Sequence, residues 1–406
     1  MKRFNDFEDD IYKCSRCGLC QSVCPVYKAT LNECGVSRAK FNMLNGILRG
    51  DLSFNRKIKS YLDLCTGCNA CKKFCPSAID VVKIFIAAKQ EYYKTNKLSF
   101  IDRFLSSYFL FKSMMFIGGF FCKVSRYTHF YCLTEMFQKL ILKFGIWGKR
   151  FVLADSFSRK NFVLKNKNKS ISKTKKAVYF KGCFNHFLNS ETADAVRFIF
   201  DSSDIELIEK NFECCGVSYL NDGMVDKFVF LAQKNLALLG DDYDYLLTDC
   251  ASCNSVLKDY KLFVGSKEAS MLAQKTISVV QLISSMKFVS KKHMNITFHM
   301  PCHEDSDVVK ILKNIENINY VEAADYNKCC GFSGKFALQN GEISREISRK
   351  KAKSFVDTKA DIILTTCPAC MLGLRQGLIE LSSSESSSKK LPEVMNLFVF
   401  LAKYCC

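Results

Sequence analysis

Eight cysteines in two runs constrain this chain more than any other feature: Cys14-Ser-Arg-Cys17-Gly-Leu-Cys20-Gln-Ser-Val-Cys24-Pro25 and Cys65-Thr-Gly-Cys68-Asn-Ala-Cys71-Lys-Lys-Phe-Cys75-Pro76. Two intervening residues let consecutive sulfurs converge on adjacent corners of one cube, and proline after the fourth cysteine turns the chain away. In such a C-x2-C-x2-C-x3-C-P run three thiolates hold one [4Fe–4S] cube and the fourth reaches across to the other. The expected sets are therefore Cys14, Cys17, Cys20 and Cys75 at the first cube, and Cys65, Cys68, Cys71 and Cys24 at the second. Paired zinc knuckles are the plain alternative. Zinc needs four ligands per site but gives no reason for a proline-terminated third spacing, twice over.

With 406 residues the chain is long enough for two to four domains. Its 23 cysteines would form a disulfide framework in a secreted protein, yet Met1 to Asp10 has no apolar core of the kind a signal peptide needs. The expectation is a reducing, cytoplasmic compartment, where clustered cysteines are metal ligands or redox groups. The formal charge of +19 invites a nucleic-acid reading. Each cube with its four thiolates carries about −2, which brings the sum to about +15. The remaining basicity is spread along the chain without a helix-turn-helix, zinc-finger or RNP-like signature, so a membrane surface or an acidic partner is expected in place of nucleic acid.

In order, the chain divides into a two-[4Fe–4S] ferredoxin-type domain (1–95), an aromatic connector (96–158), a basic linker (159–176) and two cysteine-rich units (177–290 and 291–406). Between the two cysteine runs Ser37 is placed to cap a helix through Phe41, Leu44 and Leu48 that ends at Gly50. Cys34 reads as a small buried thiol, as do Cys122 and Cys132. After Pro76 the spacing of Ile79, Val82, Ile84, Phe85 and Ala88 predicts a helix closing near Lys94. The aromatic residues of 98–153 are broken by Lys112, and the longest uncharged piece, Ser113 to Cys122, is half the length a membrane span requires. An amphipathic segment docking on a partner or at the membrane interface, and internal packing, are both compatible with it. Residues 159–176 hold eight lysines and arginines and no acid, a solvated linker; Ser382 to Lys390 reads as a surface loop.

The second half is duplicated. A strand 177–180 leads to Cys183, a helix 190–200, a strand 205–208, Cys214-Cys215-Gly216, a helix 225–239, a strand 245–248 and Cys250-Ala-Ser-Cys253. The order returns as a strand 296–298, Cys302, a helix 306–315, Cys329-Cys330-Gly331, a helix 341–356, a strand 362–365 and Cys367-Pro-Ala-Cys370, at offsets of 119, 115 and 117 residues. Alternating strands and helices predict α/β units with mainly parallel sheets, whose ligands gather at the carboxyl ends of the strands. Adjacent cysteines are poor partners for one tetrahedral ion but can each bind a different iron of a larger cluster. His299 and His303, which flank Cys302, are either packing or surface residues, or donors to a cluster sulfur or a proton. Gly331-Phe-Ser-Gly334-Lys335 lacks the full spacing of a phosphate loop, and no G-x-G-x-x-G follows a strand.

In order and in detail the chain resembles the glycolate oxidase iron–sulfur subunit family. The resemblance rests on Glu33, Ser37-Arg38-Ala39-Lys40, Leu62-Asp63-Leu64-Cys65-Thr66-Gly67-Cys68, Cys75-Pro76-Ser77, His299-Met-Pro-Cys302-His303 and Thr366-Cys367-Pro368-Ala369-Cys370. Ala39 departs from the glycine common there. Its duplicated CCG domain is also similar to that of heterodisulfide reductase, lactate-utilisation and anaerobic glycerol-3-phosphate dehydrogenase subunits. The resemblance implies a mixed α+β protein in which a helical ferredoxin-type domain precedes two α/β CCG domains. It implies two [4Fe–4S] clusters and a noncubane [4Fe–4S] cluster per CCG domain, held by Cys183, Cys214, Cys215, Cys250 and Cys253, and by Cys302, Cys329, Cys330, Cys367 and Cys370. The implied function is electron transfer from an FAD-binding 2-hydroxy-acid dehydrogenase subunit, oxidising glycolate or lactate, toward a quinone or other acceptor, with peripheral contact at the inner face of the cell membrane. A heterodisulfide-reductase-like catalytic subunit and a membrane-docking subunit of a glycerol-3-phosphate dehydrogenase are the alternatives.

Overall fold

The computed structural model describes residues 3–97, 113, 172–187, 189–384 and 391–406. The aromatic connector, most of the basic linker, and with them Cys122 and Cys132, lie outside the described residues. No helix among the described residues is long and apolar enough to cross a membrane.

Residues 3–97 are helical. Short helices Leu19–Val23 and Ala70–Lys73 follow the two cysteine runs, and the longer Ser37–Leu48, Arg56–Asp63 and Val81–Thr95 pack beneath them. Each run curls because the residues flanking its second cysteine are left-handed: Arg16 and Gly18 around Cys17, Gly67 and Asn69 around Cys68. That conformation, costly for most side chains, turns successive thiols inward. Phe41, Leu44, Leu62, Ile84 and Phe85 form the core below, with Cys14, Cys65, Cys71 and Cys75 packed against it. Ser37 does not cap its helix. Val36 is the N-cap, and the Ser37 side chain hydrogen-bonds Cys71.

Residues 172–406 form two parallel sheets of identical topology. Strands β1 (Lys175–Phe180), β2 (Ile205–Glu209), β3 (Tyr245–Thr248) and β4 (Thr276–Ser278) are arranged β2-β1-β3-β4; β5 (Val289–Phe298), β6 (Glu316–Tyr320), β7 (Ile362–Thr365) and β8 (Glu393–Asn396) are arranged β6-β5-β7-β8. Every pairing is parallel. Helices Val225–Leu239 and Gly341–Val356 lie where the sequence places them. The helix expected over 306–315 is shorter, Val308–Lys313, because Asp307 caps it and its carboxylate accepts from Lys310 N at 3.2 Å.

Several sequence expectations are corrected. Strands β4, β6 and β8 carry no strong apolar alternation and lie outside the expected set. β1 begins at Lys175, inside the expected linker, because Lys175 and Lys176 pair with Ile205 and Glu206. Lys173 is not free in solvent either: its Nζ donates to the carbonyls of Phe200, Asp201 and Ser203 at 3.2, 3.1 and 2.7 Å, satisfying the C-terminal end of helix Ser190–Asp201. β5 likewise starts before residue 291. The expected loop at 382 is still helix, Pro368–Ser384. Cys34 is half-buried, not buried.

One apolar core runs through both repeats, from Tyr179 and Phe200 to Ile296, Phe298, Phe398 and Phe400. The helical domain docks on both. Lys89 Nζ donates to Asn221 O at 3.1 Å and pairs with Asp63 at 3.3 Å. Val26 packs with Phe336 and Ile347. Gly223 allows the first of these approaches: with φ at +79°, a Cβ there would lie 2.5 Å from Lys89 Cβ and 2.8 Å from Gln90 N.

Candidate metal centres

At the outer end of the helical domain Cys14, Cys17, Cys20 and Cys75 line one cavity with Arg38 and Pro76. Burial pushes the Cys20 thiol up while the Arg38 backbone N–H, donating to it, works the other way. The other four thiols lie deeper. Burial pushes Cys24 up to about 11 and Cys71 up to about 12, and both feel Cys65 and Cys68. Between them sits Lys40, 1% exposed, with Nζ donating to Gly35 O at 3.0 Å and Leu64 O at 2.7 Å. Burial lowers this ammonium; Cys65, Cys24 and Cys71 hold it up.

In the first repeat β1 delivers Cys183, the loop after β2 delivers Cys214 and Cys215, and the end of β3 delivers Cys250 and Cys253. All five gather at the carboxyl edge of the sheet. Cys183 Sγ is 3.4 Å from Cys214 Sγ, Cys215 Sγ is 3.4 Å from Cys253 Sγ, and Cys250 hydrogen-bonds Cys253. The second repeat reproduces the chain of contacts: Cys302 with Cys329, Cys330 with Cys370 at 3.2 Å, and Cys370 with Cys367. Gly216 N and Gly331 N each donate to the sulfur of the first cysteine of the pair at 3.4 Å.

These separations are too long for a disulfide bond of about 2.05 Å. They approach the edge, about 3.8 Å, of a tetrahedron of thiolates about 2.3 Å from a metal. All the described cysteines are free. Neighbouring thiols are driven apart in acidity: a hydrogen bond from Cys183 pulls Cys214 down, and one from Cys370 supports Cys330, itself held down first by Cys329. Buried, convergent sulfurs that share protons in this way, with backbone N–H groups aimed at them, are a donor set that fits iron–sulfur clusters.

The structure also joins the sites to one another, which no spacing in the sequence shows. Cys68 of the inner helical-domain set hydrogen-bonds Cys329, and Cys329 Sγ is 3.7 Å from Thr66 Oγ1. Cys250 hydrogen-bonds Cys367 across the two repeats, and Ser252 Oγ is 3.8 Å from Cys367 Sγ. His303 Nε2 lies 3.3 Å from Gly67 O, bridging the helical domain and the second repeat. His299 is fully buried.

Charged groups next to these sites escape sequence reasoning as well. Burial pushes the Asp249 carboxyl, beside Cys250, up to about 7, and Tyr179 OH donates to it at 2.6 Å. Burial raises Glu304, whose Oε2 accepts from Thr366 Oγ1 at 2.7 Å beside Cys367. Lys351, 3% exposed, is pushed down to about 8 by burial and held up by Cys330. Only their nearness to cysteines once folded marks these residues, and no motif carries that.

Two four-cysteine sets on a helical domain, docked on a duplicated parallel α/β unit with five cysteines per repeat, define an iron–sulfur subunit of the oxidoreductase class. The match to known families agrees: a 4Fe-4S dicluster domain over residues 10–79, and the cysteine-rich CCG domain over 177–258 and 296–375. The chain belongs to the family that joins these domains, together with the glycolate oxidase iron–sulfur subunit. It is 22% identical to the probable glycolate oxidase iron–sulfur subunit of Bacillus subtilis, covering 91% of this chain and 90% of that one. It is 24% identical to a dihydromethanophenazine:CoB–CoM heterodisulfide reductase subunit of Methanosarcina acetivorans, over 91% of this chain and 89% of that one. With an uncharacterised iron–sulfur protein of Methanocaldococcus jannaschii the identity is 29%, but the match spans 56% of this chain and only 46% of that protein. A hypothetical protein from Helicobacter pylori shares the fold, with a TM-score of 0.54 and 9% identity over 90% of this chain and 66% of that one.

Proposed function

We propose that this chain is the electron-transfer subunit of an FAD-linked 2-hydroxy-acid dehydrogenase, accepting electrons from a separate flavoprotein that oxidises glycolate or lactate and passing them toward a quinone or other acceptor. The observation that carries this reading is the unbroken series of thiol contacts from Cys68 through Cys329 and the second repeat to Cys367, Cys250 and the first repeat. Cys14, Cys17, Cys20 and Cys75 would hold the outer [4Fe–4S] cluster, Cys24, Cys65, Cys68 and Cys71 the inner one, and each CCG set a further cluster. Bound clusters supply one-electron carriers; the protein spaces them, excludes water and holds protons on Asp249 and Glu304. The names of the glycolate oxidase and lactate-utilisation relatives support the substrate class. The basic run at 159–176 supports a peripheral contact with the inner face of the cell membrane. A disulfide substrate is disfavoured, because Cys250 and Cys367 at the junction are 8% and 3% exposed.

The test is anaerobic: glycolate or lactate added with the native flavoprotein should reduce this chain, read by its EPR signals, and should not do so without the flavoprotein. Turnover of a disulfide by the chain alone, given a reductant, would replace this reading with the heterodisulfide-reductase one. Ligand pairing is checked separately. Cys24→Ser should damage the centre of Cys65, Cys68 and Cys71 and leave that of Cys14, Cys17 and Cys20 intact; the reverse pattern in the reduced EPR spectrum would refute the crossed assignment.

A further inference from the structure

The two CCG sites differ in one residue that is placed to bind metal. Phe298 of β5 pairs with Leu364 of β7, and His299 N continues the ladder to Leu364 O at 2.8 Å. His299 therefore stands opposite Thr365. In the first repeat the residue opposite the matching Thr248 is Phe180. A ring of similar breadth, but with two nitrogens, thus replaces phenyl at the second site.

The imidazole is 0% exposed, and its Nδ1 is 3.1 Å from the carbonyl oxygen of Tyr326. A carbonyl only accepts, so Nδ1 carries the proton and Nε2 presents its lone pair. Nε2 is buried and has no hydrogen-bond partner. A ring nitrogen of His299 and the sulfurs of Cys330 and Cys370 all lie within 4.8 Å of one another. An imidazole fixed through one nitrogen on a backbone carbonyl, with the other turned to thiolates, is the arrangement that orients a ligating histidine. As a packing residue it would leave a buried acceptor unsatisfied, at a cost that the phenyl ring of the first repeat avoids.

We propose that the second CCG site is a mixed thiolate–imidazole iron centre in which His299 Nε2 joins Cys330 and Cys370 as a ligand, whereas the first site is held by thiolates alone. This rests on the reading of the CCG sites as iron–sulfur centres. A neutral imidazole brings no negative charge where a thiolate would bring one, so the second site is expected to have the higher reduction potential of the two, as histidine ligation does elsewhere.

The experiment uses full-length, anaerobically purified protein labelled with 15N-histidine, examined by pulsed EPR in each paramagnetic state reached by redox titration, alongside iron analysis. The expected result is a directly coordinated nitrogen whose coupling changes between 14N and 15N histidine. It should be lost in His299→Phe, which installs the first repeat's own residue, and kept in His303→Ala. His299→Asn serves as a second variant should the phenylalanine protein fail to fold. About 16 irons per chain with no such nitrogen in the unaltered protein would overturn the ligand assignment and leave the cluster reading standing. So would a His299→Phe protein with unchanged iron content and midpoint potentials. About eight irons per chain would overturn both, and zinc in the second site would overturn the iron centre.

Discussion

Anaerobically purified full-length protein should contain about 16 irons and about as many sulfides per chain, four for each of four sites. Cys214→Ser with Cys215→Ser, and separately Cys329→Ser with Cys330→Ser, should each remove about four of them. Without metal these thiols are costly to hold where they are. Cys214, Cys215, Cys250, Cys253, Cys330, Cys367 and Cys370 are all buried. Packing alone needs neither adjacent pairs nor sulfurs 3.2–3.4 Å apart. The opposed shifts along the row, with Cys214, Cys330 and Cys367 pulled down and Cys183, Cys253 and Cys370 pushed up, describe thiolates steadied only by the protons of their neighbours. A cationic cluster would neutralise that charge directly, and removing it by chelation should lower the melting temperature by exposing the same repulsion. If both double variants retain the iron of the unaltered chain, at about eight per molecule, the CCG sets bind no cluster and thiol–disulfide chemistry becomes their role.

How much of this could be seen in the sequence depended on whether the signal was local. The cysteine spacings are local, so the two four-cysteine sets and the five-cysteine lists are found together in space as grouped in the sequence. The repeat was legible too, because the apolar runs at 177–180, 245–248 and 362–365 end directly in cysteines. Edge strands were not: β6, Glu-Asn-Ile-Asn-Tyr, has one wet face and polar residues that any loop might carry. The Ser37 cap failed for a different reason. A serine before an apolar helix satisfies the local rule, but Cys71 offered its hydroxyl a tertiary partner, and the helix starts one residue earlier in its capping. The junctions Cys68–Cys329 and Cys250–Cys367 are contacts over more than a hundred residues between units that each look complete. Lys40 belongs with them: in the sequence it is one lysine on an amphipathic helix, and only the fold shows its ammonium turned inward.

Lys40→Gln should lower the reduction potential of the inner helical-domain centre on the order of 100 mV and leave the outer one nearly unchanged. The ammonium is 1% exposed and faces Cys65, Cys24 and Cys71. Reduction adds a negative charge beside it, so a retained cation favours the reduced state. At an effective dielectric of about 20 and a separation of about 6 Å, the interaction is about 3 kcal/mol, which for one electron corresponds to on the order of 100 mV. Glutamine can still donate to the carbonyls of Gly35 and Leu64, whereas Lys40→Met strands both and should in addition lose about 1–3 kcal/mol of stability for each. Comparing the two therefore separates the charge from the hydrogen bonds. Arg38 beside the outer set is the internal control: it is paired with Glu33 near solvent, so its charge is offset and screened. An EPR-monitored redox titration of the full-length variants reads both centres in one sample. Equal shifts in the two, or none in glutamine and a shift only in methionine, would show that Lys40 acts by holding the backbone around the inner set and not through its charge.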